Sequence, residues 1–160
     1  MAARTSGTHA ANDATALNNL AWIYQHSNDP RARSTALKAY TISPTSHTAD
    51  TLGWIFTAEG NPEKGLVLLR QAAAQPGDEP SIRYHLAVAL KETGHPEDAI
   101  TVLQPIVQGS ASFDDRPDAA RLLDELTKNA ATAAAMPSRA GTSGPDRPAP
   151  RRAPPQRRRE

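Results

Sequence analysis

With 160 residues, 4% aromatics and no cysteine, the chain has the length of one domain with a modest core, and its few aromatics suit helices packed through Ala and Leu rather than a sheet. Its 18 Lys and Arg nearly balance 17 Asp and Glu. The missing cysteines exclude disulfides, thiolate zinc sites and cysteine nucleophiles, and no run of eighteen apolar residues is present to span a membrane.

Residues 1–12, MAARTSGTHAAN, are small and polar and lack the charged segment and apolar block of a secretory signal. Disorder is expected there. A first helix is expected from Asn12 or Asp13, carrying Leu17, Leu20, Ala21 and Tyr24 toward its neighbours. It leads into NLAWIYQHSNDP at 19–30, a phrase respelled as TLGWIFTAEGNP at 51–62 and HLAVALKETGHP at 85–96. Leu20 and Leu52 are 32 residues apart, and Leu52 and Leu86 are 34 apart. A period in this range is the mark of stacked supersecondary units.

Each copy states the same physics. The pairs Leu20-Ala21, Leu52-Gly53 and Leu86-Ala87, with Tyr24, Phe56 and Leu90 three residues on, put a large, a small and a second large residue on one helical stripe. The small residue lets another helix come close. Asn28, Gly60 and Gly94 then offer the left-handed backbone needed past a helix end. Asp29-Pro30, Asn61-Pro62 and His95-Pro96 follow, each a candidate N-cap with proline at the first helical position. The pattern predicts three helical hairpins, at about 13–44, 45–78 and 79–109.

The second helices carry their own stripes, through Leu66, Leu69, Ala72 and Ala73 in one and Ala99, Ile100, Leu103, Ile106 and Val107 in another. In the first copy the stripe through Ala32, Ala36, Ala39 and Tyr40 is one residue out of register, with Arg33 where a small residue is expected. Pro44, Pro76 and Pro80 punctuate the links between hairpins. Pro105, ten residues into the last of these helices, clashes with the Thr101 carbonyl and is expected to kink or end it.

Residues 109–115 read as a loop. A capping helix follows over 116–128, with Ala119, Leu122, Leu123 and Leu126 on its apolar face and Arg121, Asp124 and Glu125 toward water. Asp114, Asp115 and Asp118 suit its positive end and Lys128 its negative end. From about residue 130 the composition turns to Pro, Arg, Ala and Gly, with no large hydrophobe after Met136. Residues 130–160 are expected to be a disordered basic tail, because nothing in them offsets the entropy of ordering. Residues 1–136 hold eleven Lys and Arg against fifteen Asp and Glu, whereas 137–160 hold seven Arg against two acids, so an acidic body is tied to a basic tail.

The large-small pairs, Phe56, turn glycine Gly60, the small residues Gly65 and Ala99 and the prolines resemble the tetratricopeptide repeat over roughly residues 13–110. The resemblance implies an all-α, right-handed α-solenoid of three helical hairpins plus a C-terminal capping helix, acting as a non-catalytic protein-binding scaffold. More narrowly, LAWIY, DTLGWIF and SIRYHLAVAL resemble the last repeats of bacterial tetratricopeptide lipoproteins from PEP-CTERM (exosortase-associated) systems, though the upstream repeats and lipidated Cys of that family are missing here. That likeness implies exopolysaccharide assembly or export. The sequence as written carries no signal and is expected in the cytoplasm; a piece of such a lipoprotein would be periplasmic or membrane-associated.

In arrays of this kind the first helix of each hairpin lines a concave groove. The resemblance therefore implies a partner-binding wall of Asn18, Trp22 and Gln25, then Asp50, Trp54 and Thr57, then Tyr84, Val88 and Lys91. The i, i+4, i+7 spacing of Asn18, Trp22 and Gln25 agrees, and Trp22 and Trp54 hold equivalent places one repeat apart. Two indoles in register make an anchoring platform for an extended peptide or a helix; the alternative is that each packs on the next hairpin. Asp50, Tyr84 and Val88 argue against a carboxylate clamp. At the other end, Leu17 and Leu20 lack a preceding hairpin, which leaves an apolar face for self-association or for further repeats of a longer array.

Arg151, Arg152, Arg157, Arg158 and Arg159 give a second reading, binding of nucleic acid or an acidic surface through the tail. No aromatic accompanies them to stack on bases. His9, His26, His47, His85 and His95 fall in separate elements without metal-ligand spacing, and His47 and His85 are expected at the polar surface. No nucleophile motif, phosphate loop or paired-carboxylate site is present, so no enzyme activity, metal or cofactor is expected.

Overall fold

Three chain reversals built alike set the architecture. The computed structural model describes residues 3–77 and 79–135, and among residues 3–12 the side chains of 9 and 10 alone. Seven helices follow one another: α1 (Ala3–His26), α2 (Ala32–Ile42), α3 (Ser46–Ala58), α4 (Pro62–Ala73), α5 (Pro80–Glu92), α6 (Pro96–Gln108) and α7 (Arg116–Ala135), with no strand among the described residues. After α1, α3 and α5 the backbone turns left-handed at Asn28 (φ 53°), Gly60 (φ 78°) and Gly94 (φ 80°). At each turn the next N–H donates back five residues: Asp29 to Tyr24, Asn61 to Phe56 and His95 to Leu90, all at 2.8 Å. This is the helix-ending motif that satisfies the last free carbonyls.

Pro62 and Pro96 open α4 and α6 at the first helical position, as the pattern predicts. Pro30 does not, because α2 begins two residues later, at Ala32. Instead Asp29 folds onto the turn: its carboxylate accepts from the Arg31 backbone N–H at 2.9 Å and from the guanidinium at 2.6 Å, while that guanidinium lies 4.3 Å from the Tyr24 ring centre. The Arg31 side-chain bond and then its backbone bond hold the Asp29 pKa down from 3.8 to about 2. A lowered carboxylate contributes stability above its unfolded pKa and loses it as pH falls from about 4 toward about 2. An NMR titration should place the Asp29 midpoint near the lower value, and Arg31→Gln should return it toward the ordinary one.

Each helix packs on the next in the chain, and α1 also packs on α3 and α3 on α5. The first helices of the hairpins therefore lie side by side as one layer. One core cluster runs through Leu66, Leu69, Leu86, Leu90, Leu103, Ile106, Leu122 and Leu126, joining α4, α5, α6 and α7; a second joins Ala21, Ala32 and Ala36 to Leu52 and Ile55. The register slip in the first copy has a visible result. Leu69 and Leu103 are fully buried, whereas Leu37, their counterpart in spacing, is 51% exposed and Ala36 is buried in its stead. Arg33, turned outward by the same slip, pairs with Glu59 at 3.0 Å.

Four expectations need correction. α1 starts at Ala3, not at Asn12 or Asp13, because nothing before Pro30 forbids a helix and alanines favour one. α7 runs to Ala135, seven residues past Lys128, on the same alanine propensity. α6 does not end at Pro105 but continues three residues to Gln108; Pro105 and Thr101 are exposed, on the side where water can serve the carbonyl that proline deprives of its donor. Leu20 is 37% exposed although Leu52 and Leu86 are buried, since among the described residues no helix covers the outer side of α1. With Leu37 and Ile42 it forms an open apolar end. The tail from 136 onward lies outside the described residues.

Candidate functional site

Across the layer of α1, α3 and α5 lies a cavity of about 360 Å³. Its floor is aromatic. The His85 ring stacks on Trp54 with centres 4.3 Å apart and an interplanar angle of 24°, lies 5.9 Å from the Trp22 ring, and neighbours Tyr84, which in turn lies 6.2 Å from Trp54. Trp22 also meets His26 one turn on, at 4.5 Å, and His26 Nδ1 donates to the Trp22 carbonyl at 2.9 Å. Both indoles are half-buried.

One buried ion-pair geometry holds this floor together. His85 is 2% exposed, and its Nδ1 donates to Oδ1 of Asp50, itself 9% exposed, at 2.8 Å. A buried imidazole needs such a partner, since an unsatisfied ring N–H costs about 1–3 kcal/mol. The bond spans 35 residues of sequence and ties α5 to α3. The surface placement expected for His85 is thus corrected. Its signal was its position: it stands just before Leu86, and the stacking of α5 on α3 turns that position toward Asp50 and Trp54, two before and two after Leu52. His47 is exposed, as expected, and lies 3.4 Å from Glu79.

The rim comes from the starts of α3, α5 and α7, which converge on the cavity: His47, then Glu79 and Ser81, then Asp114 and Asp115. Among the described residues no Lys or Arg lines it, and Asp114 and Asp115 stand just before α7 on this rim. Their side of the groove is electrically negative enough to act on Tyr84, whose pKa is pushed up first by burial and then by Asp118 and Asp115. Asn18 Oδ1, on the opposite wall, is buried without a hydrogen-bond donor among the described residues.

Of the nine wall residues named from sequence, Asn18, Trp22 and Asp50 line the cavity, and Trp54 and Tyr84 support its floor through the ring contacts. Thr57 does not face it. That residue is buried, donates to the Gly53 carbonyl at 2.9 Å and stands against Gly65 between α3 and α4. Val88 is half-buried against the leucine core, Lys91 pairs with Glu125 of α7 at 3.1 Å, and Gln25 is half-buried on α1 without lining the cavity. Arg151, Arg152, Arg157, Arg158 and Arg159 lie outside the described residues.

What can this arrangement do chemically? Asp50 and His85 orient one another as an acid–imidazole pair does in a hydrolase, and Ser81 lines the same cavity. No hydrogen bond joins Ser81 to the ring among those the described residues make, and a nucleophile needs that bond to lose its proton. Nor do the described residues gather three metal-ligating side chains. No helix among them is long and apolar enough to cross a membrane. The arrangement offers flat π faces ringed by carboxylates, which suit binding of a cationic or aromatic group.

A search of curated proteins finds no match. Against family models, residues 56–126 match the tetratricopeptide repeat. The matched span runs from Phe56 in α3 to Leu126 in α7, and the all-α stack of helical hairpins over these residues is similar to a tetratricopeptide solenoid.

Proposed function

We propose that the protein is a non-catalytic scaffold that holds an extended peptide of a partner protein in the groove over α1, α3 and α5. Tetratricopeptide repeats generally mediate protein–protein interaction, and the observation that carries the reading here is the His85 ring stacked on Trp54 beside Trp22. Rigid aromatic anchors in a concave wall are where binding energy concentrates. The exopolysaccharide setting remains an implication of the narrower resemblance alone.

Full-length protein used as bait, with Trp22→Ala and Trp54→Ala variants as controls, tests the groove. Each true anchor should lower affinity for the recovered partner by about 2 kcal/mol or more, with the variants' circular dichroism and unfolding midpoints reported alongside. Partner affinity unchanged in a folded double variant rejects the groove; recovery of exopolysaccharide-assembly proteins supports the narrower setting.

A further inference from the structure

We infer that the chain carries its own ligand for this groove: the arginine-rich segment 145–159 folds back over the aromatic floor and competes with outside partners. The inference rests on the groove being a peptide-binding surface and adds what it selects, a guanidinium-bearing extended segment.

Charge complementarity is the first support. The cavity is bounded by Glu79, Asp114 and Asp115, with Asp50 engaged by His85 at its floor and no Lys or Arg in its lining among the described residues, and the segment PDRPAPRRAPPQRRR holds six arginines against one acid. Chemistry within the groove is the second. Indole faces bind guanidinium by cation–π contact, worth about 0.5–2 kcal/mol each according to desolvation. Carboxylates accept guanidinium N–H groups in pairs. Arginine meets both needs in one planar group, which lysine does not.

Reach is the third. The described chain leaves from Ala135, at the far end of α7 from Asp114 and Asp115. The return along a helix of 20 residues is about 30 Å at 1.5 Å per residue. Arg151 stands 16 residues past Ala135, a span of up to about 50 Å in extended chain. The five prolines of the segment limit the backbone freedom that docking would otherwise remove. The open apolar end at Leu20, Leu37 and Ile42 is not the destination, because the segment has no large hydrophobe to place there.

The chain's two tryptophans both belong to the groove, so emission excited selectively at tryptophan reports on it alone. The full chain is compared with a full-length variant in which Arg147, Arg151, Arg152, Arg157, Arg158 and Arg159 become Gln. At low salt the two should differ in emission, and the difference should vanish at high salt as the Debye length shrinks. A synthetic peptide of residues 145–160 added to the neutral-tail variant should restore the wild-type emission saturably, and Asp114→Asn with Asp115→Asn should weaken it roughly tenfold, a loss of about 1.4 kcal/mol. Identical emission from the two chains at low salt, or no saturable response to the peptide, overturns the inference. If either occurs while the Trp variants still lose their partner, the groove stands and only its internal ligand falls.

Discussion

Gly65→Ala should lower the unfolding free energy by about 3 kcal/mol, near the upper end for overpacking a core. A Cβ at this position would lie 2.2 Å from Thr57 Oγ1 and 2.6 Å from the Gly53 carbonyl oxygen. The first obstacle is a hydroxyl that already donates to that same carbonyl, and the second is main chain. The hydroxyl can move only by giving up that bond and the carbonyl cannot move at all, so α3 and α4 must separate. Helices that cross on two facing glycines lose the contact along their whole length when one is filled. Thermal unfolding should report a drop of roughly 10 °C for a domain of this size. Gly60→Ala supplies the contrast: nothing lies within 4 Å of its Cβ, and only its positive φ is penalised, by about 1–2 kcal/mol. If the two substitutions cost the same, the close approach of α3 and α4 is refuted.

Leu69→Ala should cost about 2–5 kcal/mol, as deletion of a fully buried leucine does when the surroundings only partly relax. Leu69 has no exposed surface and sits in the cluster shared by α4, α5, α6 and α7. Its Cγ also lies 2.8 Å from where a Gly53 Cβ would be. The pair should therefore be non-additive: Gly53→Ala should hurt less in the Leu69→Ala background than in the wild type. Urea unfolding of the four proteins of that cycle measures the coupling. Leu37→Ala, at the counterpart position on α2, should change little because Leu37 is exposed.

That contrast also shows what the sequence could tell. The repeat period, the left-handed turns at Asn28, Gly60 and Gly94 and the apolar face of α7 were legible because each is a local rule, repeated. The one-residue slip in α2 was legible too, from Arg33. The helix ends were not, since alanine-rich stretches without large hydrophobes read equally as tail, and propensity carries them a few turns beyond the core. Part of the cavity was named through the family resemblance: Trp22, Trp54 and Asp50 sit within helices at the positions it maps. Its acidic rim was not. His47, Glu79, Asp114 and Asp115 stand at helix starts, where the macrodipole is explanation enough for an acid, and only the stacking of α3, α5 and α7 brings those starts together. His85 was missed for the same reason, its partner being 35 residues away.

The hydrophobic residues that α1 and α2 fully bury, among the described side chains, are all alanines, Ala14, Ala21, Ala32, Ala36 and Ala39, while Leu17 is half-buried and Leu20 and Leu37 stay open to water. Alanine shields little area, so this hairpin holds on by less than its successors do. In a linear stack, where each unit answers only to its neighbour, such a molecule unzips from its first hairpin. Amide protons there should exchange with solvent sooner than those of α4 or α6. Since Trp22 departs with α1, mild denaturant would strip away half the indole platform while Trp54 and His85 remained seated on the surviving helices.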